Sequence, residues 1–467
     1  MQDDLGHEQR TPDPAPALSR RGLLKGAAAG ALAYSFLGGR GAAAAPGGPP
    51  GGEGLVPESG DVSGGFHPRF QRVRDEFVRN FAERGEVGAS VCVIVSGRTV
   101  VDLWGGTARV DTAEPWAEDT LVHVWSCTKG TTALCAHILA ARGLLDLDAP
   151  VVDYWPGFGQ NGKQGVTVAM LLSHQAGVPA LRDPLPPGAF YDWDSMVDRL
   201  AAEELFWEPG TRHGYHALTF GYLVGEVVRR VSGRSPGTFF REEVAEPLGL
   251  DFSIGLPDSE LSRLAPIIPA DPPTPPFSLF LLNAITDPTS IAALVLFNNG
   301  GYLNPGEAES PAARAAETGA TNAFTNARGL ARLYAALAPG GAGLVDRATL
   351  ARMARVESAG VDAMGYIPSR FSLGYVKSID NRRQSPGNQD SGILSEDAFG
   401  HSGFGGSIGF VDPRAGLAFG YAMNKQGQGT LLNARGQSLI DATYRALGYE
   451  EAGGNWVPAE PRGGRRT

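Results

Sequence analysis

Apolar residues recur at Phe70, Val73, Phe77, Val78 and Phe81, every three or four positions, which predicts a helix with one buried face. The next run, Gly88–Ser96, is apolar almost throughout and rich in Val. With Thr99–Trp104 it flanks Gly97-Arg98, the pattern of a β-hairpin. Ser126–Arg142 repeats at helical spacing and is stopped by Gly143. From about 150 to 320 helical patterns dominate, at Val166–His174, Tyr215–Val231 and Pro236–Ala245, and this stretch contains a Pro-rich, apolar segment, Ala265–Leu303. Strand patterns return at Phe371–Val376, Ser407–Val411 and Leu417–Met423, and a last helix is expected over Leu431–Leu447. An early hairpin, a central helical block and late strands suggest an α+β molecule. One antiparallel sheet, flanked by helices, would be assembled from 66–150 and 321–450, with 151–320 as a mostly helical insertion. Residues 45–65, rich in Pro and Gly, read as a linker without a core, and 451–467 as a disordered tail.

Composition narrows the function. In 467 residues, 42% are hydrophobic and 19% charged, an ordinary globular balance. A net charge of −10 argues against a nucleic-acid binder, which needs a basic stripe. Three cysteines cannot form a disulfide framework. The Gly-rich stretches lack the strand–turn–helix setting of a phosphate loop or nicotinamide site.

The amino terminus reads as an address. Arg20-Arg21 precedes the uncharged run Gly26–Gly39, and Ala42-Ala43-Ala44 offers small residues for a signal peptidase. That run has 14 residues, short of the roughly 20 a spanning helix needs. Residues 1–44 are therefore expected to be a twin-arginine signal peptide. The protein would meet the twin-arginine export machinery during secretion, lack a membrane span, and end up extracellular, periplasmic or associated with the cell wall.

The chain has only five lysines, and one of them closes Ser126-Cys127-Thr128-Lys129. At the start of a helix, residues i and i+3 share a face, so the amine lies beside the hydroxyl. Serine is a poor nucleophile until a base takes its proton, and a desolvated, uncharged lysine can do so. Free N–H groups of a first helical turn also favour a developing oxyanion. The competing reading is an N-capping serine above a solvated lysine.

Two further segments bear on that choice. Trp207-Glu208-Pro209-Gly210 leads into Tyr215-His216-Ala217, placed at a helix start, and Gly400-His401-Ser402-Gly403-Phe404 precedes a strand pair. With Ser126-x-x-Lys129, and supported by the stretches at 102–106, 171–178, 207–226 and 400–413, they form an ordered set. On these residues the chain resembles the class C β-lactamase-related serine hydrolases, most closely the family VIII carboxylesterases, from about Phe70 to Leu447. The resemblance implies the β-lactamase/penicillin-binding-protein transpeptidase-like fold and an acyl-enzyme on Ser126, with no cofactor or metal. It implies that Lys129 and Tyr215 form the general-base pair, Tyr215 acting on Ser126 or water while Lys129 holds its phenolate. It further implies an oxyanion hole from the backbone N–H groups of Ser126 and Phe404, and substrate contacts from His401, Ser402 and Gly403.

Two departures from the penicillin-recognising pattern favour esters. Ala217 stands where that pattern has an amide side chain, and His401 replaces a permanent cation with a mostly neutral imidazole. The expected function is a carboxylesterase acting on small-molecule esters, with β-lactams as a second class of ligand. β-Lactamase or D-alanyl carboxypeptidase activity on the same residues, acyl transfer to another alcohol, and a non-catalytic penicillin-binding-like protein are the rival readings. Phe277, Leu279, Phe280, Leu281 and Phe297, in the lid-like segment 265–303, are candidates to wall an acyl pocket or to pack the helical block.

Other tempting residues carry less. Gly405-Gly406-Ser407-Ile408-Gly409 matches a nucleophile elbow, but that fold needs a catalytic histidine after the serine, and all eight histidines come before it. Cys127 lies at i,i+2 to Lys129 and faces elsewhere, while Cys92 and Cys135 read as core residues. His213 and His216 lack a third converging ligand, and His174 reads as a structural histidine.

Overall fold

The computed structural model describes residues 55–58 and 62–460; the expected signal peptide, 1–44, lies outside them. Strands β1 (Val56–Glu58) and β2 (Val62–Phe66) precede helix α1 (Gln71–Glu83), whose Val73 and Phe77 are fully buried at i,i+4 spacing. Strands β3 (Gly88–Val95) and β4 (Arg98–Arg109) form the expected hairpin, turning at Gly97 with φ +76°. Helix α2 (Cys127–Ala141) and helix α3 (Phe220–Ser232) follow, and then α4 (Ala327–Ala335). The chain closes with β5 (Phe399–Ser402), β6 (Ile408–Asp412), β7 (Leu417–Met423), α5 (Ala434–Leu447) and the hairpin β8 (Tyr449–Ala452) with β9 (Asn455–Pro458).

The main sheet runs β1-β2-β4-β3-β7-β6-β5, every pairing antiparallel, so strands from both ends of the chain meet at β3 and β7. Side chains on a strand alternate between faces. Val91, Val93, Phe410 and Phe419 pack with α1 and α5, while Cys92, Ile94, Val411 and Ala418 pack with α2 and α4. A strand covered on both faces needs apolar residues at every position, which is why Gly88–Val95 is continuously apolar.

Four expectations are corrected. The linker assigned to 45–65 includes β1 and β2; Gly64 and Gly65 lie in a strand paired to β4, whose Phe66 joins the α1 core. The tail assigned to 451–467 includes most of the β8–β9 hairpin, anchored by Trp456 at 2% exposure against Tyr444. The strand expected over Phe371–Val376 ends at Phe371, because Leu373–Tyr375 turn back so that Val376 bridges Gly400 on β5. Inside the helical stretch, Phe252–Ile254 is a strand that pairs with Ala323–Thr325, itself paired to Val122–His123.

Candidate active site

Helix α2 starts directly after Ser126, and Trp125 before it takes a left-handed φ of +49°. Such a conformation is costly for an aromatic residue and persists where surrounding packing enforces it. Trp125 is stacked on His123 at 4.4 Å and meets Phe404 edge-on at 5.8 Å. Three residues on, Lys129 is fully buried, and its Nζ lies 3.0 Å from Ser126 Oγ, 2.7 Å from Ala217 O and 3.1 Å from Ala320 O. Burial holds the Lys129 amine well below the ordinary lysine pKa. Carbonyl oxygens only accept, so two N–H bonds of a neutral amine are committed to Ala217 and Ala320. The third direction, the lone pair, then faces the serine hydroxyl.

Tyr215 is not at a helix start: it lies in a loop five residues before α3, because the helix begins only after Thr219. A buried carboxylate holds it there. Both oxygens of Asp362 accept from Tyr215 N, at 3.1 and 3.0 Å, and Asp362 also accepts from Met364 N, Gly365 N and Ser369 Oγ. The Tyr215 ring lies parallel to Phe371, with centroids 5.9 Å apart, and its centroid is 4.8 Å from Lys129 Nζ. Burial raises the Tyr215 pKa, partly offset by a hydrogen bond with Ser126, so the group is a phenol near neutral pH.

His401 and Ser402 lie on β5, the edge of the main sheet, and both are buried. The His401 Nδ1–H donates to Ser402 O at 2.7 Å, and its Nε2 is buried without a partner. Burial pulls its pKa down to about 3, so it is a neutral imidazole. Its ring centroid is 6.0 Å from that of Tyr215. Gly403 allows β5 to approach α2: a Cβ there would stand 2.2 Å from Val124 O. Around the expected oxyanion hole, Cys127 N, Thr128 N, Gly403 N and Gly406 N all donate to backbone carbonyls. Among the described residues, Ser126 N and Phe404 N donate to none.

The structure thus brings Ser126, Lys129, Tyr215, His401 and Phe404 together and leaves the decoys aside. Ser407 is buried and continues into strand β6 rather than a helix. Cys127 Sγ donates to His401 O, and burial pushes its thiol up to about 12. His216 donates from Nδ1 to Gly214 O and accepts from Val178 N; His213 bonds Ser369 Oγ; His174 Nδ1 accepts from His216 N. The five apolar candidates of the lid-like segment do not reach the serine's surroundings: Leu279 and Phe297 are exposed at 42% and 49%. The same segment instead contributes Ala265 and Ile267 to a slot beside Trp125 and Phe404. Asp362, Ala320 and the carbonyl of Ala217 escaped sequence reading, since a lone aspartate and two backbone oxygens carry no motif.

Comparison with known proteins places this geometry. The beta-lactamase family model matches residues 74–442. The esterase/beta-lactamase LipL of Mycobacterium tuberculosis is 37% identical over 383 residues, 78% of this chain and 83% of that protein. Esterase EstB of Burkholderia gladioli is 29% identical over 371 residues, 75% of this chain and 88% of that protein. Among solved structures, a family VIII carboxylesterase is 40% identical with a TM-score of 0.72, covering 82% of this chain and 99% of its own. A penicillin-binding protein homologue from Caulobacter crescentus is 35% identical with the same TM-score, 0.72, covering 83% of this chain and 100% of its own.

Proposed function

The chain belongs to the beta-lactamase family, and from that premise we propose that this serine hydrolase is an exported carboxylesterase that cleaves small carboxylic esters through an acyl-enzyme on Ser126. The observation that carries the proposal is the Lys129 amine, fully buried, with two carbonyls taking its N–H bonds and Ser126 Oγ 3.0 Å from its lone pair. As Ser126 Oγ attacks the ester carbon, its proton passes to Lys129 and the carbonyl π pair moves onto oxygen. Ser126 N–H and Phe404 N–H receive that oxyanion. When the tetrahedral adduct collapses, the C–O bond to the alcohol breaks. The departing oxygen takes the proton from Lys129 by way of the Tyr215 hydroxyl. Water repeats the sequence on the acyl-enzyme and releases the acid.

This division of labour gives the proton to Lys129 rather than to a Tyr215 phenolate, because burial raises the tyrosine pKa and lowers that of the lysine. Esters are favoured over β-lactams by His401. A neutral, buried imidazole offers no cation to a β-lactam carboxylate, and Ala217 offers no amide to its acylamino group. Export is supported by the Arg20-Arg21 segment and its apolar run.

The test compares wild type with Ser126→Ala on p-nitrophenyl butyrate, with nitrocefin alongside. Wild type should turn over the ester steadily. The variant should lose on the order of 10³-fold or more, and nitrocefin should be the poorer substrate by kcat/KM. A folded Ser126→Ala protein that retains turnover would remove Ser126 from the reaction.

A further inference from the structure

Beside the two free N–H groups lies a narrow slot walled by Trp125, Phe404, Ala265 and Ile267. Its outer wall is the Phe404 ring, 47% exposed and edge-on to Trp125. None of its lining residues carries a charge, since burial pulls the His123 imidazole down to about 4. Two of them have buried polar atoms with no hydrogen-bond partner: His123 Nδ1 and Gln426 Nε2. The two residues are 5% and 8% exposed.

An unpaired buried donor or acceptor costs about 1–3 kcal/mol, so two in one slot beside a reactive centre call for a ligand. The histidine's role is fixed. His123 Nε2 donates to Thr321 O, which leaves Nδ1 as a bare lone pair, and the ring is clamped between Trp125 and Phe324. Gln426 Nε2 is a donor. Asn424, which also lines the slot, is fully engaged with Gly88 N, Thr107 O and Ala108 O. A single hydroxyl satisfies both orphans: its oxygen accepts from Gln426 and its proton goes to His123. A carboxylate has no proton to give His123 and would be buried without a cation. A plain alkyl chain leaves both orphans unpaired.

Resting on the esterase reading, we propose that this slot is an acyl subsite for short hydroxyacyl groups, so that esters of small hydroxy acids are the preferred substrates. The leaving alcohol is protonated from the Tyr215 side, which assigns the acyl part to the opposite side, where Trp125 and Phe404 flank the oxyanion. The Phe404 ring swings outward to admit it.

The experiment measures kcat/KM for ethyl 2-hydroxybutyrate and ethyl 3-hydroxybutyrate against ethyl butyrate, in wild type, Gln426→Met and His123→Phe. Each protein's ratio is its own control for damage to the fold. Wild type should favour at least one hydroxy ester tenfold or more, and both variants should bring that ratio close to one. Equal rates in wild type, as when a water bridges the two orphans, overturn the proposal; so does a preference that survives both substitutions. The same three esters are titrated into Ser126→Ala protein by calorimetry. If wild type hydrolyses none of them, the esterase reading fails. The slot assignment then stands or falls on whether a hydroxy ester binds the Ser126→Ala protein at least tenfold more tightly than ethyl butyrate.

Discussion

At the scale of residues, the decisive quantity is the protonation state of one amine. An ordinary lysine loses its proton near pH 10.4 and would be useless as a base at neutrality. Lys129 is held well below that by burial, and the carbonyls of Ala217 and Ala320 orient it without supplying a negative charge. For ester hydrolysis, kcat/KM should therefore rise with pH as Lys129 deprotonates, along a limb centred well below the ordinary lysine value. It should then stay level into alkaline solution, because burial raises the Tyr215 pKa and keeps that group protonated. Lys129→Arg keeps a cation that cannot deprotonate, so kcat should fall by about 10³-fold at every pH. A pH–rate series on both proteins checks this, and an arginine variant with near wild-type rates would show that the amine is not the base. Much of this centre was legible in sequence: Ser126 and Lys129 share a helix face by their spacing, and Tyr215 and His401 stood in recognisable order. The parts that tune it were not. Asp362 lies 147 residues from Tyr215 and is tied to it through the backbone N–H, a bond that any residue at 215 except proline would make.

At the scale of elements, the centre depends on how closely α2 and β5 approach. The nucleophile comes from the start of one and the second oxyanion donor from the loop that follows the other. Gly403 sets the spacing, with Val124 O where its Cβ would be, at 2.2 Å. Gly403→Ala must push the strand end from the helix, and a misplacement of about 1 Å can cost 10²-fold in rate. The expected result is a kcat loss of about 10²-fold on p-nitrophenyl butyrate. Far-ultraviolet circular dichroism should show the fold retained, and undiminished activity would mean that the loop absorbs the extra carbon without moving Phe404 N–H. The elements themselves were legible where periodicity is strong: α1, the β3–β4 hairpin and α2 fell close to their predicted bounds. They failed where composition misled. Gly64 and Gly65 look like linker, yet β2 pairs through its backbone, which glycine supplies as well as valine does. The β8–β9 hairpin is anchored mainly by Trp456, and one buried ring among polar residues makes no period.

At the scale of the whole molecule, the two ends of the chain are joined through one sheet and one buried charge cluster. Glu86, just after α1, accepts from Arg435 on α5 at 2.7 Å and from the hydroxyl of Tyr421 on β7. Arg435 reaches on to Lys425 O, and its own carbonyl accepts from Asn80 on α1. The fold class was legible because strands at both ends implied a shared sheet, but this cluster was not: Glu86 and Arg435 are 349 residues apart and share no pattern. Burial, opposed by the Arg435 charge, raises the Glu86 pKa to about 7. With an unfolded value near 4.5, the folded chain holds the extra proton between the two. The stability this group contributes is then fully present below about pH 4.5 and is lost as pH rises through about 7. Thermal melts of wild type and Glu86→Gln between pH 4.5 and 8 should show their difference shrinking in wild type's disfavour as pH rises, since glutamine keeps an acceptor for Arg435 and has no proton to lose. A difference that instead moves towards wild type with rising pH would mean that the ion pair with Arg435 outweighs burial, and that the two chain ends are held by charge rather than by a neutral hydrogen-bonded cluster.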